Sequence, residues 1–224
     1  MIAIDEPTGQ PLSAEQLEKL HRVLSRERMA TYIVAAGHDE QRAARLYLWN
    51  GQVGEAFHLP IQAVEVGLRN AINEAFTASF GVQWWSAPAF TAVADGERKS
   101  DLEQCRRRIV NRGLSMCNGQ VVAGLSFGFW VGMLQKRYNP TVWAGHAKFA
   151  FTNLPQGRAR QSIEQETRHI LTLRNRIWHR EPIFKRNLSD DHRRVMQLLG
   201  WLCPTKLSWI RPHCRVPALL RLKP

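Results

Sequence analysis

The 224-residue sequence is poor in long apolar runs and in acidic side chains. Its longest apolar stretch, Val121 to Leu134, holds Ser126 and three glycines. At about 14 residues this stretch is too short to cross a bilayer, and it predicts a buried core helix. The first ten residues, Met1 to Gln10, carry Asp5 and Glu6 and contain no apolar run, so we expect no signal peptide.

Cysteine is also scarce, with four residues and neither a CxxC pair nor a zinc-ligand spacing. Without an export signal these thiols are expected to be reduced. His213 and Cys214 are neighbours, but no second close pair of potential ligands accompanies them. The sequence therefore predicts a cytoplasmic protein with no metal ion and no cofactor.

Basic residues are abundant: 31 Lys and Arg face 19 Asp and Glu, for a formal net charge of +12. Such an excess attracts polyanions through long-range electrostatics and counterion release. Nucleic acid is the first partner that this charge indicates, and an anionic membrane surface is the second. Many basic proteins bind neither. The hydrophobic fraction of 44% is that of a globular protein and argues against disorder.

Helical periodicity dominates the chain, and no segment alternates as a strand does, so we predict an all-α protein. Ser13 and Gln16 fit a capping box for a first helix from about 14 to 26. Asp39 caps a helix that Asn50-Gly51 should interrupt, and Pro60 should break or kink whatever follows. Further helices are predicted at 61–80, 99–112, 118–138, 158–180 and 189–201.

The composition changes after residue 202. The last 22 residues contain four prolines, five Lys or Arg and no acid. We therefore predict one helical domain over 1–202 and a basic tail over 203–224, either extended against the domain or mobile.

The segment whose residues are best suited to catalysis is 174–182, which reads RNRIWHREP. On a helix, Asn175 and His179 share a face, whereas Arg174 lies about 140° round the axis from His179. Pro182 should end the helix just beyond His179, and local unwinding there could bring the imidazole to Arg174.

One histidine and one arginine suit the cleavage of RNA, which carries its own nucleophile in the 2′-hydroxyl. His179 would move the protons and Arg174 would stabilise the charge that develops on phosphate. Asn175 could orient the imidazole or the phosphate. The expected products are 2′,3′-cyclic phosphate and 5′-hydroxyl ends. For an isolated pair with this spacing, a helix-end histidine and a surface arginine are the more common explanation.

Several other residues are candidates for RNA contact. Arg176 and Arg180 flank the motif on one helical face. Arg106 and Arg107 belong to a basic helix that either follows a phosphate backbone or is simply solvated. A second Leu-Arg-Asn-x-Ile sequence places Arg69 and Asn70 either in the pocket or in a core-bracing role with Glu65. The tryptophans Trp49, Trp130, Trp143 and Trp178 are better explained as core than as base-stacking residues.

The segment 174–184, RNRIWHREPIF, resembles the closing motif of the Abi-like (abortive infection) bacterial family of the HEPN superfamily. Three other segments agree in order: 47–50 (YLWN), 65–70 (EVGLRN) and 125–130 (LSFGFW). The resemblance covers about 25–202 and leaves the tail outside.

This resemblance implies a HEPN-like helical bundle with additional helices and, for active members, a metal-independent endoribonuclease of the toxin or antiviral-defence type. Arg174 and His179 are the residues carried over. Such sites often form between two protomers, so a homodimer is expected, with an antitoxin or phage-derived trigger as a further partner. The alternative is a non-catalytic module that binds RNA or senses a partner.

Overall fold

The computed structural model describes residues 11–224, with only the backbone at residues 148 and 149. Over these residues the chain is helical and contains no β-strand, which confirms the all-α prediction. The expectation about Met1 to Gln10 lies outside the described residues. In the same range, no helix combines the length and apolar character that crossing a membrane requires.

Twelve α-helices are present in the described chain: α1 (Ala14–Leu24), α2 (Arg26–Ala35), α3 (Glu40–Phe80), α4 (Pro88–Val93), α5 (Gly96–Asn111), α6 (Asn118–Gly124), α7 (Phe127–Gly132), α8 (Ala144–Ala150), α9 (Arg160–Trp178), α10 (Leu188–Leu202), α11 (Pro204–Ile210) and α12 (Val216–Arg221). Short 3₁₀ segments occupy Trp84–Ser86, Lys136–Tyr138 and Arg211–His213, and a π-helical segment occupies Asn139–Trp143.

The chain divides into two compact units. The first contains the described residues up to 59, together with 173–192 and 213–224. The second contains 60–172 and 193–212. This division differs from the predicted boundary at 202/203, because residues 203–212 group with one unit and residues 213–224 with the other.

The core of the first unit joins segments that are distant in sequence. The Trp49 indole donates to the Leu219 carbonyl at 2.7 Å. The Tyr32 ring packs against Tyr47 and Phe184, with centroid distances of 5.2 and 5.0 Å. Because these residues come from α2, α3, α12 and the chain after α9, the first unit cannot form from any one local segment.

The second unit is built round an aromatic cluster at the C-terminal end of α3. The Phe76 ring lies 5.3 Å from Tyr138, 5.7 Å from Trp84 and 5.9 Å from Trp143, measured between centroids. The Trp84 indole donates to Asn73 Oδ1 at 2.9 Å, which satisfies its buried N–H. Such edge-to-face contacts add specific geometry to the burial of apolar surface.

Several local predictions are confirmed. The Ser13 side chain and Gln16 form both halves of the capping box on α1. Asp39 Oδ1 accepts from the Arg42 amide at 2.9 Å at the start of α3. The predicted apolar seam of 61–80 is buried, with Val64, Leu68, Ile72 and Phe76 all at 0% exposure. The predicted basic helix corresponds to α5.

The predicted interruption of α3 is wrong, because Asn50, Gly51 and Pro60 all lie inside one 41-residue helix. Asn50 is tolerated since its buried carboxamide accepts hydrogen bonds from another segment. Pro60 removes a single helical hydrogen bond, a loss of about 3 kcal/mol. Burial of Phe57 and Ile61 on either side favours continuing the helix through it.

The predicted single helix over 118–138 is also wrong. Leu125 has an extended ψ of 142°, and the chain restarts at Ser126, whose hydroxyl accepts from the Phe129 amide at 3.1 Å. Serine favours this capping role over a helix interior. The predicted burial of this apolar stretch is confirmed, since Val121 and Trp130 are fully buried.

The segment 203–224 is helical, in contrast to the predicted extended or mobile tail. Pro204 and Pro217 each stand in the first turn of a helix, at α11 and α12. Proline fits there because the first-turn N–H groups have no helical partner. Val216 and Leu219 are buried and anchor α12 in the first unit.

Candidate active site at the end of helix α9

Helix α9 ends in a compact C-terminal turn at the predicted motif. The Arg180 amide donates to the Ile177 carbonyl at 3.0 Å, and the Glu181 amide donates to the Arg176 carbonyl at 2.8 Å. This pair of bonds is a Schellman motif, in which the first residue after the helix cap has a left-handed backbone. Arg180 adopts that conformation, with φ of 57°. An arginine therefore stands where glycine is favoured.

The chain after the turn is fixed by a buried residue of α3. Asn50 Oδ1 accepts from the Ile183 amide at 2.8 Å and from the Phe184 amide at 3.1 Å. On the other side of the turn, the Arg28 guanidinium donates to the Arg180 carbonyl at 3.1 Å. The end of α9 is thus held by side chains from both α2 and α3.

The Arg174 side chain is half-buried and lies against the last residue of its own helix. Its guanidinium carbon is 4.5 Å from the centre of the Trp178 ring, a cation–π contact. Its Nη1 donates to Asn175 Oδ1 at 3.4 Å. The Trp178 indole is thus one partner of this guanidinium, and the expected meeting of Arg174 with the His179 ring stays a prediction.

His179 follows Trp178 directly and is exposed. Its amide donates to the Asn175 carbonyl at 2.9 Å, so its backbone closes the helix. In the described part of the chain, no hydrogen bond to its imidazole is found. Asn175 therefore contacts Arg174 through its side chain and His179 only through its carbonyl. The imidazole is open to a ligand in solution.

A cavity of about 410 Å³ lies beside this helix end, within the first unit. Residues of α2, of α3, of the end of α9 and of the chain after it line it: Arg28, Tyr32, Tyr47, Asn50, Gly51, Gly54, Glu55, His58, Ile177, Trp178, Arg180, Glu181 and Ile183. Trp178 and Arg180 link the motif to the cavity, whereas Arg174 and His179 do not line it.

Sequence reasoning missed His58, whose ring stacks on Trp178 with centroids 5.1 Å apart and planes inclined by 18°. It also missed Arg28 and Glu55, which line the same cavity. A signal existed: Gly54 and His58 follow Asn50 at intervals of four and share a helical face. Predicting an interruption at Asn50-Gly51 concealed that face.

The predicted RNA-contact residues fall in both units. Arg176 is exposed and pairs with Glu181 at 3.7 Å, in the first unit with Arg180. Arg69 and Asn70 belong to α3 in the second unit, where Asn70 is exposed and Arg69 is half-buried. Burial is the main cause that lowers the pKa of nearby Lys206, and the charge of Arg69 lowers it further.

Arg106 and Arg107 are exposed on α5 in the second unit, and both bind one carboxylate. Their Nε atoms lie 2.8 and 2.9 Å from Glu103. These hydrogen bonds hold the pKa of Glu103 at about 2. The acid offsets part of the positive charge predicted for this surface.

Of the four tryptophans interpreted as core, three are buried: Trp49, Trp130 and Trp143, at 3%, 0% and 2% exposure. Trp178 is the exception, with 43% of its surface exposed at the cavity. The Arg174 guanidinium and the His58 ring contact this indole, and the rest of its surface is exposed beside the cavity.

The described residues contain no group of three or more His, Cys, Asp or Glu side chains placed to hold a metal ion. The Cys214 sulfur lies 3.4 Å from Nε2 of His192, a residue distant from it in the sequence. Burial raises the pKa of the Cys214 thiol, which disfavours the reactive thiolate.

Comparison with known proteins identifies no relative: no family model, no curated protein and no solved structure matches this chain.

Proposed function

We propose that this protein is a metal-independent endoribonuclease that cleaves RNA through His179 and Arg174. The His179 imidazole takes the proton of a ribose 2′-hydroxyl, and the 2′-oxygen attacks the adjacent phosphorus. The bond from phosphorus to the 5′-oxygen breaks, and the His179 imidazolium returns its proton to that oxygen. The products are a 2′,3′-cyclic phosphate and a 5′-hydroxyl end, and no other reactant is consumed.

The observation that carries the proposal is the exposure of the His179 imidazole at the end of α9, directly after an indole that the Arg174 guanidinium covers. An imidazole without a hydrogen-bond partner in the described chain and a permanent cation five residues before it are the two groups that this chemistry requires. Arg174 would leave its contact with Trp178 to bind the developing phosphorane, or would act through the field of its charge.

Charge supports RNA as the substrate. The chain carries a net +12, and Arg176 and Arg180 are exposed on either side of His179. These side chains would bind the phosphates that flank the scissile bond. The resemblance of segment 174–184 supports the further proposal that the protein belongs with the Abi-like HEPN proteins. We further propose a homodimer with a composite site, cytoplasmic action in antiviral defence, and control by an antitoxin or phage-derived trigger.

A second candidate function is RNA binding without cleavage, or partner sensing by the same site. One observation favours it: in the described chain no side chain orients the His179 imidazole, and Asn175 contacts Arg174 instead. A histidine that is not held in place makes a weaker general base than one fixed by a partner.

The test is cleavage of total bacterial RNA in EDTA by wild type, His179→Ala and His213→Ala. His213 is an exposed histidine of the same unit and serves as the matched control. We expect cuts with cyclic phosphate ends from the wild type and from the control, and a loss of at least about 100-fold in His179→Ala. Arg174→Ala should lose a similar factor while retaining RNA binding.

Equal activity in all variants would refute the assignment of His179. RNA binding without cleavage by the wild type, unaffected by EDTA or Mg²⁺, would support the second candidate. The salt dependence of that binding separates RNA contact from partner sensing, because phosphate binding weakens steeply as salt rises.

A further inference from the structure

The cavity beside Trp178 is bordered by two glycines in the middle of α3. Gly51 and Gly54 both have ordinary helical backbones, since neither is among the residues with positive φ. Glycine in a helix interior destabilises the helix relative to alanine, so each position needs a reason.

Packing does not explain Gly51. A Cβ added there would meet no atom within 4 Å, and a Cβ added at Gly54 would touch only Ile177 Cγ2, at an ordinary 3.6 Å. The protein therefore leaves open a space that a larger side chain could fill without a clash. Sites that sacrifice stability in this way are commonly sites of function.

The walls of this space suit a flat, polar ring. Trp178, Tyr47 and His58 supply aromatic surface, and the Trp178 indole is 43% exposed. Glu55 supplies an acceptor for ring N–H groups, and Arg28 and Arg180 supply cations for a phosphate. A volume of about 410 Å³ is in the range of pockets that hold small ligands, of which a nucleoside is one.

We propose that this cavity binds one nucleobase of a single-stranded RNA, next to the nucleotide that is cleaved. The inference rests on the proposed function and extends it, because Trp178 lines the cavity and directly precedes His179. A base stacked here places its neighbouring phosphate at the end of α9. Base stacking gives affinity to single strands, and duplex RNA cannot offer an unpaired base.

Filling the cavity tests the proposal. Gly51→Leu places a side chain in the open space, and Gln52→Leu places the same side chain on the exposed neighbouring position of the helix as a control. Binding of a fluorescein-labelled 12-mer single-stranded RNA is measured by anisotropy in EDTA. Sodium polyphosphate, which has charge and no base, is the second probe.

We expect Gly51→Leu to weaken RNA binding about 10-fold, the effect of losing one stacked base. Its binding of polyphosphate should stay within twofold of the wild type, and Gln52→Leu should match the wild type with both probes. The melting temperature of Gly51→Leu should be unchanged or raised by about 2–4 °C, because leucine is the better helix former. If leucine perturbs the circular dichroism spectrum, the smaller Gly51→Ala and the flexible Gly51→Met are compared instead.

RNA binding by Gly51→Leu within twofold of the wild type would overturn the inference, as would a wild type that binds no RNA. The two proposals fail in different ways. If Gly51→Leu loses RNA binding and the wild type does not cleave RNA, the base pocket is supported and the nuclease proposal is refuted. If the wild type cleaves RNA and Gly51→Leu binds and cleaves RNA as the wild type does, the nuclease proposal is supported and the base pocket is refuted.

Discussion

A single side chain, Asn50, attaches the chain that follows α9 to helix α3, and its replacement gives the sharpest stability prediction. Asn50 Oδ1 is the acceptor for the amides of both Ile183 and Phe184, and all three groups are buried. Asn50→Leu keeps the size of the side chain and removes the acceptor. Two backbone N–H groups are then buried without a partner.

The magnitude follows from those two donors. Each buried donor left without an acceptor costs about 1–3 kcal/mol, or about 2–6 kcal/mol for the pair. Leucine is a better helix former than asparagine, which stabilises the helix by about 0.5 kcal/mol. A shift of the turn that exposes these two amides to water would reduce the cost of leaving them without an acceptor. We expect a net loss of about 2–4 kcal/mol in the free energy of unfolding.

Urea unfolding at 25 °C, followed by circular dichroism, measures this loss against Gln52→Leu, the exposed position on the same helix. The control should change stability by no more than about 0.5 kcal/mol. Trypsin cleavage after Lys185 should also be faster in Asn50→Leu, since the released turn exposes that bond. A difference between the two variants below about 1 kcal/mol would show that the Asn50 bonds do not hold the turn.

Two further predictions concern Arg180 and Glu103. Arg180→Gly should be more stable than Arg180→Ala by about 1 kcal/mol in urea, because φ of 57° favours glycine; equal stabilities would contradict a strained backbone there. The Glu103 carboxyl should titrate in NMR with a midpoint of about 2, because Arg106 and Arg107 donate to its charged form. A depressed pKa contributes stability above the unfolded value near 4.3 that is lost as pH falls toward 2. In the variant with both arginines changed to Ala, the midpoint should return to the ordinary range, and a midpoint still near 2 would refute this cause.

Short-range chemistry made part of the fold predictable. Ser13 and Asp39 cap their helices through atoms three residues away, and such bonds depend on little beyond local sequence. The seam through Val64 and Phe76 is equally local, because one helical period fixes which face is apolar. The predicted site residues of segment 174–182 follow from the same local pattern, and their catalytic role stays a prediction.

Long-range contacts decided what the sequence could not show. Asn50 looked like a helix breaker because its partners, Ile183 and Phe184, lie more than 130 residues away. With those bonds made, α3 continues and brings Gly54 and His58 onto the cavity face. Trp178 resembled a core residue, since only the assembled first unit leaves its ring exposed beside that cavity. The sequence by itself determined the helical class, the helix caps and the basic charge, which depend on neighbours in the chain. The tertiary structure decided the continuity of α3 and the cavity, because both depend on side chains that folding brings together.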